Sequence, residues 1–172
     1  MVKKTTTALF GLTLFACASP ESEGAKAILE VDRVPPGASI SLRAGAFDGK
    51  KLTFDLVTRG VDEVYGAAFR LSYDPACLRF VELDRGNAVT DREDALVLGR
   101  EARPGLLLGV ATRVGPSGGV ASAGDETAIV RVTLAIESRS DTRLELVPGR
   151  SVALDATGHE VVLATSGARL SF

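Results

Sequence analysis

The one histidine of the chain, His159, lies in the run DATGHE, Asp155 to Glu160. Imidazole is the usual general base near neutral pH, but it needs a nucleophile or a bound water to act on. Nothing beside it in sequence supplies either, and it reads as a solvated hairpin residue. No GxSxG elbow, the strand-to-helix turn that exposes a nucleophilic serine, supports hydrolytic chemistry. No Cys/His spacing suits zinc. The Gly-rich run GPSGGVASAG, Gly115 to Gly124, lacks the Lys-Ser or Lys-Thr ending of a phosphate cradle and leads into a strand pattern, so it reads as a loop. Carboxylates cluster at Asp91, Glu93 and Asp94 and again at Asp125 and Glu126. Calcium takes about six to eight oxygens gathered from several loops. Two short acidic runs read instead as solvated surface. Sugars are commonly held by flat aromatic rings, yet the chain has no Trp and two Tyr. Tyr73 shares its phase with Phe69 and Leu71, which points it into a core. Tyr65 alone is left as a platform. No enzyme, cofactor or metal centre is expected, and the formal net charge of −2 leaves no basic footprint for nucleic acid.

The other candidate for chemistry is Cys17. Lys3 and Lys4 precede ALFGLTLFA, residues 8–16. This apolar run is too short to cross a hydrocarbon core of about 30 Å as a helix, and with its basic start it reads as an export signal. LFAC, Leu14 to Cys17, resembles the bacterial lipobox. That resemblance implies cleavage before Cys17, a diacylglycerol on its sulfur, and an exported protein anchored to the cell envelope, at the outer membrane or cell surface. Ordinary cleavage nearby, with Cys17 incidental or removed, is the alternative. Removing residues 1–16 takes away two lysines and no acid, so the net charge falls from −2 to −4. Cys77 is the only other cysteine. With Cys17 acylated it has no partner within the chain and should be an inert, buried thiol; without acylation, pairing of Cys17 with Cys77 is the alternative.

Residues 17–38 then form the anchor and a flexible linker. ASPESEGAKA is small and polar, ILEVDRV is either a short strand or the end of the spacer, and Pro35-Pro36-Gly37 breaks the chain. From Ser39 to Phe172 the pattern is that of one all-β domain. KLTFDLVT sets Leu52, Phe54 and Leu56 against Lys51, Thr53 and Asp55. AFRLSY and IVRVTLAIE alternate in the same way, and SISLRA, LRFVEL, LLLGVAT, RLEL, EVVLAT, ARLSF and ALVLG are shorter runs of similar kind. Period-two alternation marks half-buried strands. Turn signals such as DGKK, DPAC, RPGL, VPGR and ATGH separate them. TDREDALVLGREA is the one stretch with a helical opening, soon stopped by Gly99 and Pro104. The whole predicts about nine strands in a β-sandwich.

One run carries more information. In FRLSYDPACLRFVEL the alternation is broken by Asp74-Pro75 and resumes in shifted phase. Asp74 can cap a turn and Pro75 pre-sets its φ, so Tyr73 should close one strand with its ring inward and Leu78 open the next. The longer segment GAAFRLSYDPACLRFVEL resembles the signature of cohesin modules, in which an amphipathic strand ends in Tyr-Asp-Pro, followed by two residues and a Leu. KLTFDLVTRGVDEVYG, ETAIVRVTLAIES and LDATGHEVVLATSGARLSF extend the resemblance over Ser39 to Phe172. It implies a nine-stranded sandwich of jelly-roll topology and a non-catalytic module that binds a dockerin on one sheet face. In the family, polar residues just ahead of the signature Phe help contact the partner. The matching positions here are Gly66 and Ala68, with Arg70 and Ser72 outward on the same strand. A carbohydrate-binding sandwich of the envelope, with a polysaccharide as ligand, is the alternative from a different functional class.

Overall fold

The computed structural model of the protein describes residues 26–86, 95–115, 118–119 and 126–172. Cys17, Asp91, Glu93, Asp94 and Asp125 lie outside them. Thirteen strands follow one another: β1 (Ile28–Val31), β2 (Ser39–Phe47), β3 (Lys51–Arg59), β4 (Val64–Tyr73), β5 (Leu78–Arg85), β6 (Ala95–Arg103), β7 (Leu106–Arg113), β8 (Thr127–Ile136), β9 (Thr142–Leu146), β10 (Val152–Asp155), β11 (Glu160–Val162), β12 (Ala164–Thr165) and β13 (Ala168–Ser171). No helix occurs among the described residues. The sequence predicts nine strands. The excess comes from the C-terminal stretch, where Pro148-Gly149, Gly158 and Gly167 cut the chain into short pieces, and from Ile28–Val31, where the strand alternative is the one found.

The strands form two sheets. In the first, β6, β7 and β4 lie side by side. Beyond β4, β10 pairs with its first half and β9 with its second. β11 continues outward from β10, and β13 and β1 continue from β9. The second sheet runs β12-β2-β3-β8-β5. The chain crosses repeatedly from one sheet to the other, and every ladder except the parallel pair β12–β2 is antiparallel. Alternation explains the core. Phe54 and Leu56 of β3, Ile129 and Leu134 of β8, Leu71 of β4 and Leu107 of β7 are completely buried between the sheets. The helical opening at TDREDALVLGREA gives way to strand β6 from Ala95 onward, where Leu96 and Val97 have a full ladder with β7.

On the outer face of the second sheet, register brings Arg43, Asp55, Arg131 and Asp84 into one cross-strand row of alternating charge. Asp55 is 8% exposed. It accepts hydrogen bonds from Arg43 at 2.8 Å and Arg131 at 2.9 Å. Burial pushes its carboxyl up, but the two guanidinium groups outweigh burial and hold it below the usual carboxylate value. A carboxylate with a depressed folded-state pKa stabilises the fold above its unfolded pKa, near 4, and that contribution is lost as pH falls through the folded value. Asp55→Asn is therefore expected to lower the unfolding free energy by about 2 kcal/mol at pH 6. The gap to the parent protein should close as pH drops below about 4. Urea titrations of both proteins between these pH values check it. A gap that stays constant would mean that the carboxylate's charge is not what matters.

Candidate functional site

The Tyr-Asp-Pro corner fixes the geometry of the first sheet. Tyr73 is 6% exposed and Leu78 1% exposed, so both chain directions enter the core at this point. The Asp74 carboxylate accepts the Ala76 N–H at 2.9 Å, and its carbonyl accepts the N–H groups of Cys77 at 3.1 Å and Leu78 at 2.9 Å. Pro75, with no N–H to donate, stands where none is needed. Phe80 packs half-buried against the core before a bulge between Phe80 and Glu82 turns β5 outward. Cys77 is a free, buried thiol. Burial and the neighbouring Asp74 push its pKa up, which keeps it unreactive.

The corner also clamps the β6–β7 hairpin. The Tyr73 N–H donates to the Gly105 carbonyl at 3.0 Å. The Tyr73 hydroxyl donates to Glu101 Oε1 at 2.6 Å, and the same oxygen accepts the Gly105 N–H at 3.0 Å. Gly105 has φ +79° and presses so close to Tyr73 and Pro75 that a side chain has no room. These contacts hold β6 and β7 flush against β4, which extends the first sheet into a broad surface.

That surface is the candidate site. Inward phases of β4 and β7 place Phe69, Leu71, Leu107 and Ala111 in the core. The opposite phase faces out. Gly66, Ala68, Arg70 and Ser72 all lie on this outer face, paired with Thr112, Val110, Leu108 and Leu106 of β7. Register extends the rows. Val162 of β11, Val152 of β10, Ala68, Val110 and Leu98 of β6 are cross-strand neighbours in one line over five strands. The parallel row holds Leu154, Gly66, Thr112 and Leu96, and the next holds Arg70, Leu108 and Arg100. Leu96, Leu98, Leu154 and Val162 are 42, 56, 38 and 65% exposed. A shallow hollow of about 410 Å³ opens here, lined by Leu98, Gly99, Arg100, Leu108, Gly109 and Val110. Contiguous exposed aliphatic side chains of this kind mark an interaction surface. Flat and strand-built, the patch offers shape and apolar contact but no nucleophile or base.

Comparison with known proteins identifies the frame that carries this surface. No protein-family model matches the sequence, and no curated protein sequence matches it. Solved structures do match. The cohesin module of a family 33 glycoside hydrolase from Clostridium perfringens superposes with a TM-score of 0.60 at 16% identity, over 78% of this chain and 95% of that one. The fold is cohesin-like. A sixth cohesin from scaffoldin B of Acetivibrio cellulolyticus, solved in complex with a Cel5 dockerin, gives 0.60 at 18% identity, over 77% and 96% of the two chains. A type II cohesin module from the adaptor scaffoldin ScaA of the same organism gives 0.62 at 12% identity, over 76% and 92%.

Within this cohesin-like frame, sequence reasoning picked out one strand of the face and missed its neighbours. Leu96 and Leu98, Leu106, Leu108 and Val110, Val152, Leu154 and Val162 make most of the apolar area. The signal was present in LLLGVAT, whose outward phase is as apolar as its inward one. The residues weighed for other chemistry lie elsewhere. Tyr65 donates its hydroxyl to the Gly115 carbonyl at 2.6 Å. It borders a second hollow of about 380 Å³ with Gly115, Asp155 and Thr157 among its walls. His159 stands exposed in the β10–β11 turn, 2.8 Å from the Thr157 hydroxyl, while Asp155 caps that turn through the N–H groups of Thr157 and His159. Glu126 pairs with Arg59 at 2.8 Å. Among the described residues no group of three or more His, Cys, Asp or Glu could hold a metal ion.

Proposed function

We propose that this chain is a non-catalytic docking module that binds a dockerin-like domain of another exported protein through the outer face of β6, β7, β4, β10 and β11. The observation that carries the reading is the aliphatic line from Leu98 to Val162, solvent-facing across five strands of a cohesin-like sheet. Cohesin modules of this fold occur in complexes with dockerins, and a patch of this shape suits a preformed partner surface. In this reading Cys17 carries the lipid anchor, residues 18–27 give reach, and the sandwich presents a carbohydrate-active partner at the cell surface. Direct polysaccharide binding has less behind it: Tyr65, half-buried, already donates its hydroxyl to the Gly115 carbonyl.

The full-length chain used as bait on proteins exported by its own organism tests the reading. A protein with a dockerin-like domain should be retained, and its retention should survive added polysaccharides. Retention of no specific protein, or release by a glycan, overturns it.

A further inference from the structure

Strand β1 is an open edge of the first sheet. It pairs with β13 over Ile28 to Val31, and among the described residues no strand lies on its other side. One contact sets the direction of its backbone groups. The Asp32 N–H donates to the Gly167 carbonyl at 2.9 Å, in the register that places Glu30 opposite Arg169. Asp32, Glu30 and Ile28 therefore turn their backbone groups toward β13, and Val31, Leu29 and Ala27 turn theirs away from it. Sheet edges are commonly blunted by proline, by lysine or by a bulge. Ile28–Val31 carries no Pro or Lys, and its register is unbroken.

Side chains alternate across the same segment. Ala27 and Leu29 pack against the core, which leaves Lys26, Ile28 and Glu30 on the outer face. All three are exposed, Ile28 by 51%. Lys26 and Glu30 have no ion pair among the described residues. Glu30 has Arg169 as its cross-strand neighbour, but Arg169 binds Asp141 at 3.0 Å instead.

This segment is complementary to itself. A strand added to the edge must set its own outward backbone groups against those of Ala27, Leu29 and Val31. For a second β1 running antiparallel, only registers that place odd-numbered residues opposite odd-numbered ones do so. With the twofold axis at Ile28, Ala27 and Leu29 of the two copies form hydrogen-bonded pairs. Ile28 then meets Ile28, and Lys26 meets Glu30 on each side of the axis. An axis at Glu30 sets two glutamates face to face, which is unfavourable. An axis at Leu29 sets Ile28 against Glu30, and Lys26 against an Asp32 that already holds Arg143 at 2.6 Å.

We propose that a second copy of this chain docks on this edge, β1 against β1 and antiparallel, about a twofold axis at Ile28, with Lys26 of each copy on Glu30 of the other. The inference does not depend on the docking reading. The axis stands perpendicular to the sheet, so the two first sheets join into one and their outer faces point the same way. β6 and β7 lie on the far side of β4 from β1, and the apolar face they carry stays open in both copies. A contact this short is weak in free solution. The two Lys26 residues lie about four strand residues apart, or about 14 Å. Two chains anchored in one membrane through their N-terminal segments would meet at a raised effective concentration.

Disulfide trapping tests this. Opposed residues of a non-hydrogen-bonded pair have Cα atoms about 4.5 Å apart, within the span a disulfide bridges. The full-length chain carrying Cys17→Ser is the background, since Cys77 is buried. In it, Ile28→Cys should oxidise to a covalent dimer at least ten-fold faster than Val162→Cys, which is exposed on the apolar face. Glu30→Lys added to Ile28→Cys should slow trapping about ten-fold at low salt, because each cross-strand pair becomes a repulsion. Lys26→Glu added to Ile28→Cys should slow it similarly. Combining the two exchanges in Ile28→Cys should restore the rate to within about three-fold. A merely weakened β1 would not recover, and thermal melts confirm that the folds compared are intact. Equal trapping at Ile28 and Val162, faster trapping at Val162, charge variants that trap like the background, or a double exchange that stays slow each overturns the proposal.

Discussion

Replacing Gly109 by valine is expected to lower the unfolding free energy by about 3 kcal/mol, at the upper end of what overpacking a core costs. Gly109 is mid-strand in β7, and its φ is not left-handed, so backbone freedom is not why glycine stands there. The reason is Phe69. A Cβ added at Gly109 would penetrate the Phe69 ring, whose exposure is 2%. The ring is enclosed by the core on its other sides and cannot swing away as a surface side chain would. Gly99, the cross-strand neighbour of Gly109, has the same relation to Leu83, which reaches across from the second sheet. The two glycines thus let core side chains press up against the sheet from inside while their backbones line the outer hollow. The test is a cycle read by denaturant unfolding. Gly109→Ala should itself destabilise, Phe69→Leu should destabilise separately, and the double variant should be more stable than the sum by about 1 kcal/mol or more. Additivity would sink the explanation. Gly118→Ala, with nothing within 4 Å of the added Cβ, should stay within about 0.5 kcal/mol of the parent.

Residue types in sequence carried much of this fold because the rules behind them are local. Alternation in KLTFDLVT and IVRVTLAIE needs only the two faces of a strand, and Asp74-Pro75 needs only turn chemistry. What stayed hidden depends on register. Arg43, Asp55 and Arg131 are far apart in the chain and meet only because β2, β3 and β8 align them. The apolar outer face of the first sheet has the same character. Gly66, Ala68, Arg70 and Ser72 could be assigned to one face of β4 from their phase. That the strands on both sides add Val110, Leu98, Val152 and Val162 to the Ala68 row follows from pairings no single run displays. The fragment ALVLG shows why a local signal can mislead. Acidic residues ahead of it look like a helix opening, yet Ala95 to Arg103 finds a ladder partner in β7, and the tertiary pairing decides. Gly66 and Ala68 also change meaning. Judged alone they are positions without a polar contact group. Beside Val110 and Val152 they are the low centre of an apolar surface, where a larger side chain would stand in the way of a flat partner.

Leu98→Asp is expected to weaken capture of the docking partner by about 100-fold while leaving the melting temperature nearly unchanged. Leu98 is 56% exposed on edge strand β6, so a carboxylate there stays solvated in the free protein and should cost less than about 0.5 kcal/mol of stability. Binding is different. If the partner covers the hollow beside Leu98, the new carboxylate is buried against apolar contacts and loses its water without gaining a donor, a penalty of several kcal/mol. Buried, well-packed positions near the centre of an interface carry most of its binding energy, and rim positions carry little. Val162→Asp at the other end of the same line separates the two possibilities that the geometry allows. Val162 is 65% exposed on the last strand of the row. A partner that spans all five strands should lose about ten-fold on Val162→Asp. A partner confined to the hollow should be indifferent to it while still failing on Leu98→Asp. Surface plasmon resonance with the captured protein, run beside thermal melts of each variant, gives both readings at once. Unchanged affinity in both variants would overturn both placements, the span of all five strands and the seat in the hollow beside Leu98.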